Sequence, residues 1–146
     1  MPTTAYPIDY TQPNYLTKNG TYTYYKRKHS PFSMHNSIAN VSTRAATIRN
    51  FNDFAADVNA SALPQWSFIT PNLVNDAHDT TIDFASAFLE YWLVPLLTNS
   101  NFNSGNGANG TLILLTFDEN ESYGDRNNVF SLLLGSAVPT SLHGTT

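Results

Sequence analysis

Thr111-Leu112-Ile113-Leu114-Leu115-Thr116-Phe117 runs directly into Asp118-Glu119-Asn120, and this stretch decides how the chain is read. A short apolar run with no polar alternation suits a central strand of a parallel sheet, buried on both faces. Ligands of open α/β sheets bind just beyond the carboxyl ends of such strands. Two acids placed there are costly to bury unless a cation or a shared proton compensates them. Hard divalent metals take oxygen ligands of this kind and can activate a nucleophile or neutralise a phosphoryl group. Against this stands the plain alternative of a strand that ends in a solvated acidic turn.

Working outward, the neighbouring segments alternate between helix and strand patterns. Ile48, Phe51, Phe54, Ala55 and Val58 recur at helical spacing, which predicts an amphipathic helix over 48–60, stopped at Leu63-Pro64. Gln65-Trp66-Ser67-Phe68-Ile69-Thr70 is expected as a strand ended by Pro71-Asn72. Ile82, Ala85, Phe88, Leu89, Trp92, Leu93 and Leu96 line one face of a second helix, with Thr80 or Thr81 as its cap and Pro95 kinking or shortening its last turn. Residues 99–110 read as a flexible loop and 120–127 as a polar one. Val129-Phe130-Ser131-Leu132-Leu133-Leu134-Gly135 is expected as another buried strand. Ser33 to Ile38 suits a short helix. Residues 1–25 show no period and are expected to be irregular, with turns near Pro7 and Asn19-Gly20. This order fits a piece of an α/β layer, although three strands and two helices leave the 111–117 strand poorly covered.

Composition narrows the class of function. The 146 residues are 41% hydrophobic, enough for a domain with a core, yet only 12% charged. A net charge of −4 and a single short basic cluster, Lys26-Arg27-Lys28-His29, argue against a nucleic-acid partner. No apolar stretch reaches the length of a membrane span. The chain has no cysteine, so disulfides say nothing about compartment. Five N-x-S/T triplets, at Asn19, Asn40, Asn59, Asn109 and Asn120, together with low charge, lean towards a secreted glycoprotein with N-glycans at those positions. The start Met1-Pro2-Thr3-Thr4 has neither the basic nor the apolar region of a signal peptide, so a secreted protein read here is mature or a fragment.

Three polar clusters hold candidate chemistry. Asn75-Asp76-Ala77-His78-Asp79 follows a strand pattern and precedes a helix, where α/β loops carry function. Two carboxylates and an imidazole within five residues can ligate a metal or hold an anionic substrate; a helix-capping loop, with Asp79 favouring the helix N-terminus, is the equal alternative. Lys28-His29-Ser30-Pro31 can set a cationic imidazole beside a phosphate, or be a surface turn. Ser30 lacks the G-x-S-x-G setting of a nucleophile elbow. His35 and His143 are read as structural, Asp53 and Asp57 as solvated charges, and the early tyrosines as loop packing rather than a carbohydrate platform.

Together these segments resemble one family. Tyr25-Lys26-Arg27-Lys28-His29-Ser30-Pro31-Phe32, Leu63 to Asn72 with Asn75-Asp76-Ala77-His78-Asp79-Thr80, Thr116 to Asn120, and Val129 to Pro139 are similar, in order, to blocks of the phosphoesterase group. That group contains fungal secreted acid phosphatases and is related to bacterial and plant phospholipases C. The resemblance implies an alkaline-phosphatase-like α/β/α sandwich and metal-assisted hydrolysis of phosphate esters. It places Asp118 and Glu119 as metal ligands for a divalent ion, His78 and Asp79 in the active-site loop, and His29 near the phosphate. The family's Glu-Asn metal motif and its hydroxyl nucleophile belong to segments upstream of the blocks matched. Thr11-Gln12-Pro13-Asn14-Tyr15 superficially resembles the nucleophile segment but stands in the wrong place, so Thr11 receives no role. A downstream histidine segment is also not seen after Gly144-Thr145-Thr146. Residues 1–146 are therefore expected to be a partial domain of an acid phosphatase, inactive alone. A phospholipase C-like phosphodiesterase and a non-catalytic secreted module are the alternatives.

Overall fold

The computed structural model of the chain describes residues 14–16 and 23–145, with the backbone alone at 14–16, 23 and 24. Thr11, Asn19 and the turns expected at Pro7 and Asn19-Gly20 lie outside the described residues. The elements run β1 Asn14–Leu16, β2 Thr23–Lys26, two 3-10 turns at Arg27–His29 and Pro31–Met34, α1 Asn36–Ala39, α2 Ser42–Ala45, α3 Phe51–Asn59 and α4 Ile82–Leu97. A 3-10 turn at Gly107–Asn109, β3 Ile113–Thr116, β4 Ser131–Leu134 and a 3-10 turn at Thr140–Leu142 complete them. Helices and strands are mixed, as an α/β reading requires. The chain divides into two compact units, Met1–Val94 and Pro95–Thr146.

In the first unit, β1 and β2 pair antiparallel, with Tyr15 opposite Tyr25 and a register shift next to it. The irregular reading of 1–25 missed this pair because three- and four-residue strands are too short to show a period. The helix expected over 33–38 forms instead as the 3-10 turn and α1, separated at His35, which is extended (φ −100°, ψ 119°).

Helix α3 starts where its cap dictates. The Asn50 side chain accepts from the backbone N–H of Asn52 (2.9 Å) and Asp53 (3.0 Å), and the Asp53 carboxylate accepts from the Asn50 N–H (3.3 Å). This reciprocal capping box satisfies three donors that the first turn leaves orphaned. Helix α4 begins after Thr81, whose hydroxyl accepts from the Phe84 N–H at 3.3 Å. Of the apolar stripe, Ala85, Phe88 and Leu93 are buried, whereas Ile82 on the first turn is exposed. Pro95 does not end the helix, which runs on to Leu97. The two helices meet through aromatic rings. Trp92 stacks on Phe88 (5.8 Å, 6°) and meets Phe51 at 5.2 Å and Phe54 at 5.8 Å. Such pairs add to the burial of large apolar rings, the main term holding this unit.

Residues 65–70, expected as a strand, form none. Pro64 and Pro71 bracket the segment and remove ladder donors at its ends, and β-structure needs a partner strand. The segment is held by side chains instead: Trp66 and Phe68 pack edge-on to Phe32 (5.5 and 6.0 Å), and the Thr70 hydroxyl donates to the His29 carbonyl at 3.0 Å.

In the second unit, β3 and β4 form an antiparallel pair in continuous register, Ile113 opposite Leu134 through Thr116 opposite Ser131. The parallel, doubly buried strand expected from the apolar run is therefore corrected on two counts. The loop from Phe117 to Phe130 holds no helix to make a crossover and turns the chain back on itself, giving antiparallel pairing. Along β3 burial alternates, Leu112 and Leu114 being 61% and 62% exposed. In β4, Leu132 and Leu133 are likewise exposed, against the expectation of a buried strand. The segment before β3 is fixed by a compact polar knot. The Asn103 side chain accepts from the Ser136 N–H (2.7 Å), and the Ser136 hydroxyl accepts from the Thr111 N–H (3.0 Å) and donates to the Ser104 carbonyl (2.7 Å). Gly135 closes this knot at φ +99°, with the Thr111 carbonyl occupying the space a Cβ would need.

Candidate functional site

The loop 72–81 is built by its own side chains. The Asn72 side-chain oxygen accepts from the N–H groups of Val74 (3.1 Å) and Asn75 (2.9 Å), which turns the chain. Leu73 and Val74 are buried and anchor the turn. The Asp79 N–H donates to the Leu73 carbonyl (2.8 Å), and the Thr80 hydroxyl to the Val74 carbonyl (2.6 Å), so the loop closes onto its own base. Ala77 takes a left-handed conformation (φ +76°), a cost the surrounding hydrogen bonds must offset. The strained turn holds Asp76 and His78 on either side of it.

Four titratable side chains meet there. His78 Nδ1 lies 2.8 Å from the Asp79 carboxylate. An ionised carboxylate only accepts, so Nδ1 carries the proton and Nε2 is left as the nitrogen that exchanges protons. Asp76 accepts from the His78 backbone N–H at 2.9 Å. Its other oxygen faces His29 Nδ1 at 3.8 Å, and the rings of His29 and His78 are 5.7 Å apart. Asp76 is the best buried of the four, with its side chain 19% exposed. Burial pushes its carboxyl above the ordinary range, partly offset by the His78 N–H bond and by the charge of both histidines.

His29, His78 and Asp79 are thus brought together around Asp76. Asp79, the candidate partner for the helix N-terminus, is paired with His78. Asp76 was visible in the sequence within the same five-residue cluster but was not singled out. Thr70, 41 residues from His29, had no sequence signal linking it to the site. Ser30 serves the turn through its carbonyl, which accepts from the Ser33 hydroxyl at 2.8 Å. Arg49 pairs with Asp57 at 3.0 Å, so Asp57 is a bonded rather than a merely solvated charge.

Asp118 and Glu119 stand just past the end of β3, both exposed. The loop that follows is closed by the Asn120 N–H donating to the Asn127 side chain (2.7 Å) and the Asn120 amide donating to the Arg126 carbonyl (3.2 Å). Adjacent hard oxygen donors suit a hard divalent ion. Among the described residues, however, no group of three or more His, Asp or Glu side chains is arranged to hold one. Nor is any helix among them long and apolar enough to cross a membrane.

Comparison with known proteins adds the wider context. The model of the phosphoesterase family matches residues 5–136. The chain is 51% identical over 121 residues to a probable acid phosphatase of Kluyveromyces lactis, covering 83% of this chain and 28% of that protein. It is 47% identical over 132 residues to an acid phosphatase of Aspergillus fumigatus, covering 90% of this chain and 28% of that protein. A phosphatidylinositol-3-phosphatase of Mycobacterium tuberculosis is 30% identical over 122 residues, 84% of this chain and 37% of its own. The chain therefore spans little more than a quarter of the length of the fungal relatives it matches. No solved structure matches it.

Proposed function

This chain belongs to the phosphoesterase family, and we propose that it is part of a phosphoric ester hydrolase that cleaves phosphate monoesters in the manner of an acid phosphatase. The observation that carries the reading is the meeting of His29, Asp76, His78 and Asp79 at one loop. Two imidazoles flanked by carboxylates hold protons where a phosphoryl oxygen or a leaving alcohol would need them. In this reading His78, oriented by Asp79, donates through Nε2 to the leaving oxygen, and His29 holds the phosphate.

Asp118 and Glu119 are the residues of this chain that would hold a divalent ion, as part of a shell completed elsewhere. Such an ion, when bound, supplies charge neutralisation and lowers the pKa of an attacking hydroxyl. That hydroxyl would come from outside the 146 residues. Beside the cluster, the Thr70 and Thr80 hydroxyls are both committed to backbone carbonyls. The whole catalytic domain would be an alkaline-phosphatase-like α/β/α sandwich, and the chain alone would be inactive. A secreted, N-glycosylated protein fits the exposure of Asn40, Asn59 and Asn109. Asn120, with its amide engaged, is a poorer acceptor.

The test is hydrolysis of p-nitrophenyl phosphate by the intact enzyme carrying Asp118→Asn. Near-loss of turnover together with weakened Mn2+ binding by calorimetry, on an unchanged circular dichroism spectrum, is the expected result. Full activity in that variant would refute the role of Asp118, and no turnover by the unaltered intact protein would favour the non-catalytic module. Faster turnover of bis-p-nitrophenyl phosphate than of the monoester would favour the phospholipase C-like alternative. Metal-dependent turnover by the 146-residue chain alone would refute its inactivity.

A further inference from the structure

A cleft of about 650 Å³ opens in the first unit, lined entirely by residues between 25 and 88. That volume lies within the range of small-molecule sites. Its wall is unusually aromatic, with Phe32, Phe51, Phe54, Trp66, Phe68 and Phe88 all contributing. Trp66 and Phe68 are nevertheless 66% and 55% exposed. With the cleft they line, these rings form a surface that an aromatic or apolar group can occupy. His29 lines the same cleft, and its ring is 5.7 Å from that of His78. The cleft wall therefore takes in one histidine of the cluster together with the exposed rings.

Charge points the same way. The chain carries 7 Lys and Arg against 11 Asp and Glu. Three of those cations, Lys26, Arg44 and Arg49, line the cleft, and Asp57 is its single acidic wall residue. Arg49 is already paired with Asp57 and Asp53, and Lys26 and Arg44 add positive charge beside the apolar wall, which suits a ligand with both an anionic and an apolar part.

We infer that this cleft is the subsite for the organic group of the phosphate ester, taking a flat aromatic or apolar alcohol part against Trp66 and Phe68 while the phosphate lies at the His29 end. The inference rests on the phosphoester reading and adds the substrate class to it. Calorimetric titration of the intact enzyme with three non-hydrolysable or unreactive probes tests it: benzylphosphonate, methylphosphonate and benzyl alcohol. Ring contact predicts that benzylphosphonate binds about tenfold more tightly than methylphosphonate. Trp66→Ala, and independently Phe68→Ala, should remove most of that advantage while leaving methylphosphonate affinity unchanged. Both rings also pack on Phe32, so each variant is first checked for a native circular dichroism spectrum, and Trp66→Leu and Phe68→Leu, which keep an apolar side chain against Phe32, carry the test where a truncation unfolds.

Equal affinity for the two phosphonates would overturn the inference and leave the phosphoester reading standing. An advantage that survives both substitutions would overturn it too, because the ring would then sit elsewhere. Benzyl alcohol binding as tightly as benzylphosphonate would remove the phosphate end, and with it both the inference and the reading beneath it.

Discussion

Thr70→Val removes one hydrogen bond that ties the His29 segment to the segment leading into the site loop. The Thr70 hydroxyl donates to the His29 carbonyl at 3.0 Å across 41 residues of sequence. Valine keeps the shape and removes only the donor. A neutral hydrogen bond of this kind contributes about 1 kcal/mol net, and about 1–3 kcal/mol when its loss strands a buried partner. The His29 side chain is 24% exposed, so water can reach the neighbourhood of the orphaned carbonyl, and the lower figure applies. At about 2 cal/mol/K of unfolding entropy per residue, 1 kcal/mol corresponds to a fall in Tm of about 3–5 °C for a unit of this size. The aromatic contacts of Phe32 with Trp66 and Phe68 remain, so the fold survives while His29 loses its register against Asp76. Scanning calorimetry reads the first effect, and a phosphate titration followed by histidine ring resonances reads the second. Thr70→Ser should restore both. A Thr70→Val protein that melts within 1 °C of wild type, roughly the resolution of such a comparison, and binds phosphate unchanged would refute the claim that this bond positions His29.

Asp76→Asn keeps an acceptor for the His78 N–H but removes the buried charge. Because burial raises the folded pKa of Asp76, the folded chain binds that proton more tightly than the unfolded chain does. The associated stability is present in acid, below the ordinary carboxylate value, and is lost as pH rises through the raised folded value. The variant should therefore be at least as stable as wild type at pH 7, and its Tm should fall less than the wild type's between acid and neutral pH; a steeper fall would contradict the burial argument. Asn50→Ala removes the acceptor for two N–H groups of α3 and should cost about 1 kcal/mol, seen as a lower urea midpoint with unchanged slope. Gly135→Ala forces a Cβ to within 2.3 Å of the Thr111 carbonyl at φ +99°. It should open the knot before β3, giving fast amide exchange at Thr111 and Ser136, and slow exchange there would show that the backbone adapts.

The two longer helices were legible in the sequence because helical spacing is a local signal, and Thr81 was read as a cap of the second; the first, expected from Ile48, starts at Phe51 because Asn50 caps it. The strand readings were weaker for a physical reason. An apolar run states that a segment is extended, and says nothing of which partner it pairs with or in which direction. Thr111 to Phe117 held enough leucine to suggest burial on both faces, yet the turn-back through 117–130 made the pair antiparallel and left Leu112 and Leu114 exposed. Residues 65–70 had strand composition, but prolines at both ends and aromatic anchoring to Phe32 gave them another role.

The site divides along the same line. His78, Asp79 and Asp76 share one loop, so their proximity was written in their spacing. His29 joined them only through chemistry that spacing cannot show: a threonine hydroxyl 41 residues away and a carboxylate facing it at 3.8 Å. What binds the two segments also shapes the cleft, since Phe32 sits just after His29 and Trp66 and Phe68 just before Thr70. The same packing that brings His29 to the cluster thus lays the aromatic wall beside it. A change at Phe32 should therefore disturb the placement of His29 and the apolar wall together, whereas a change at Asp79 should free the orientation of the His78 ring and leave the wall as it is.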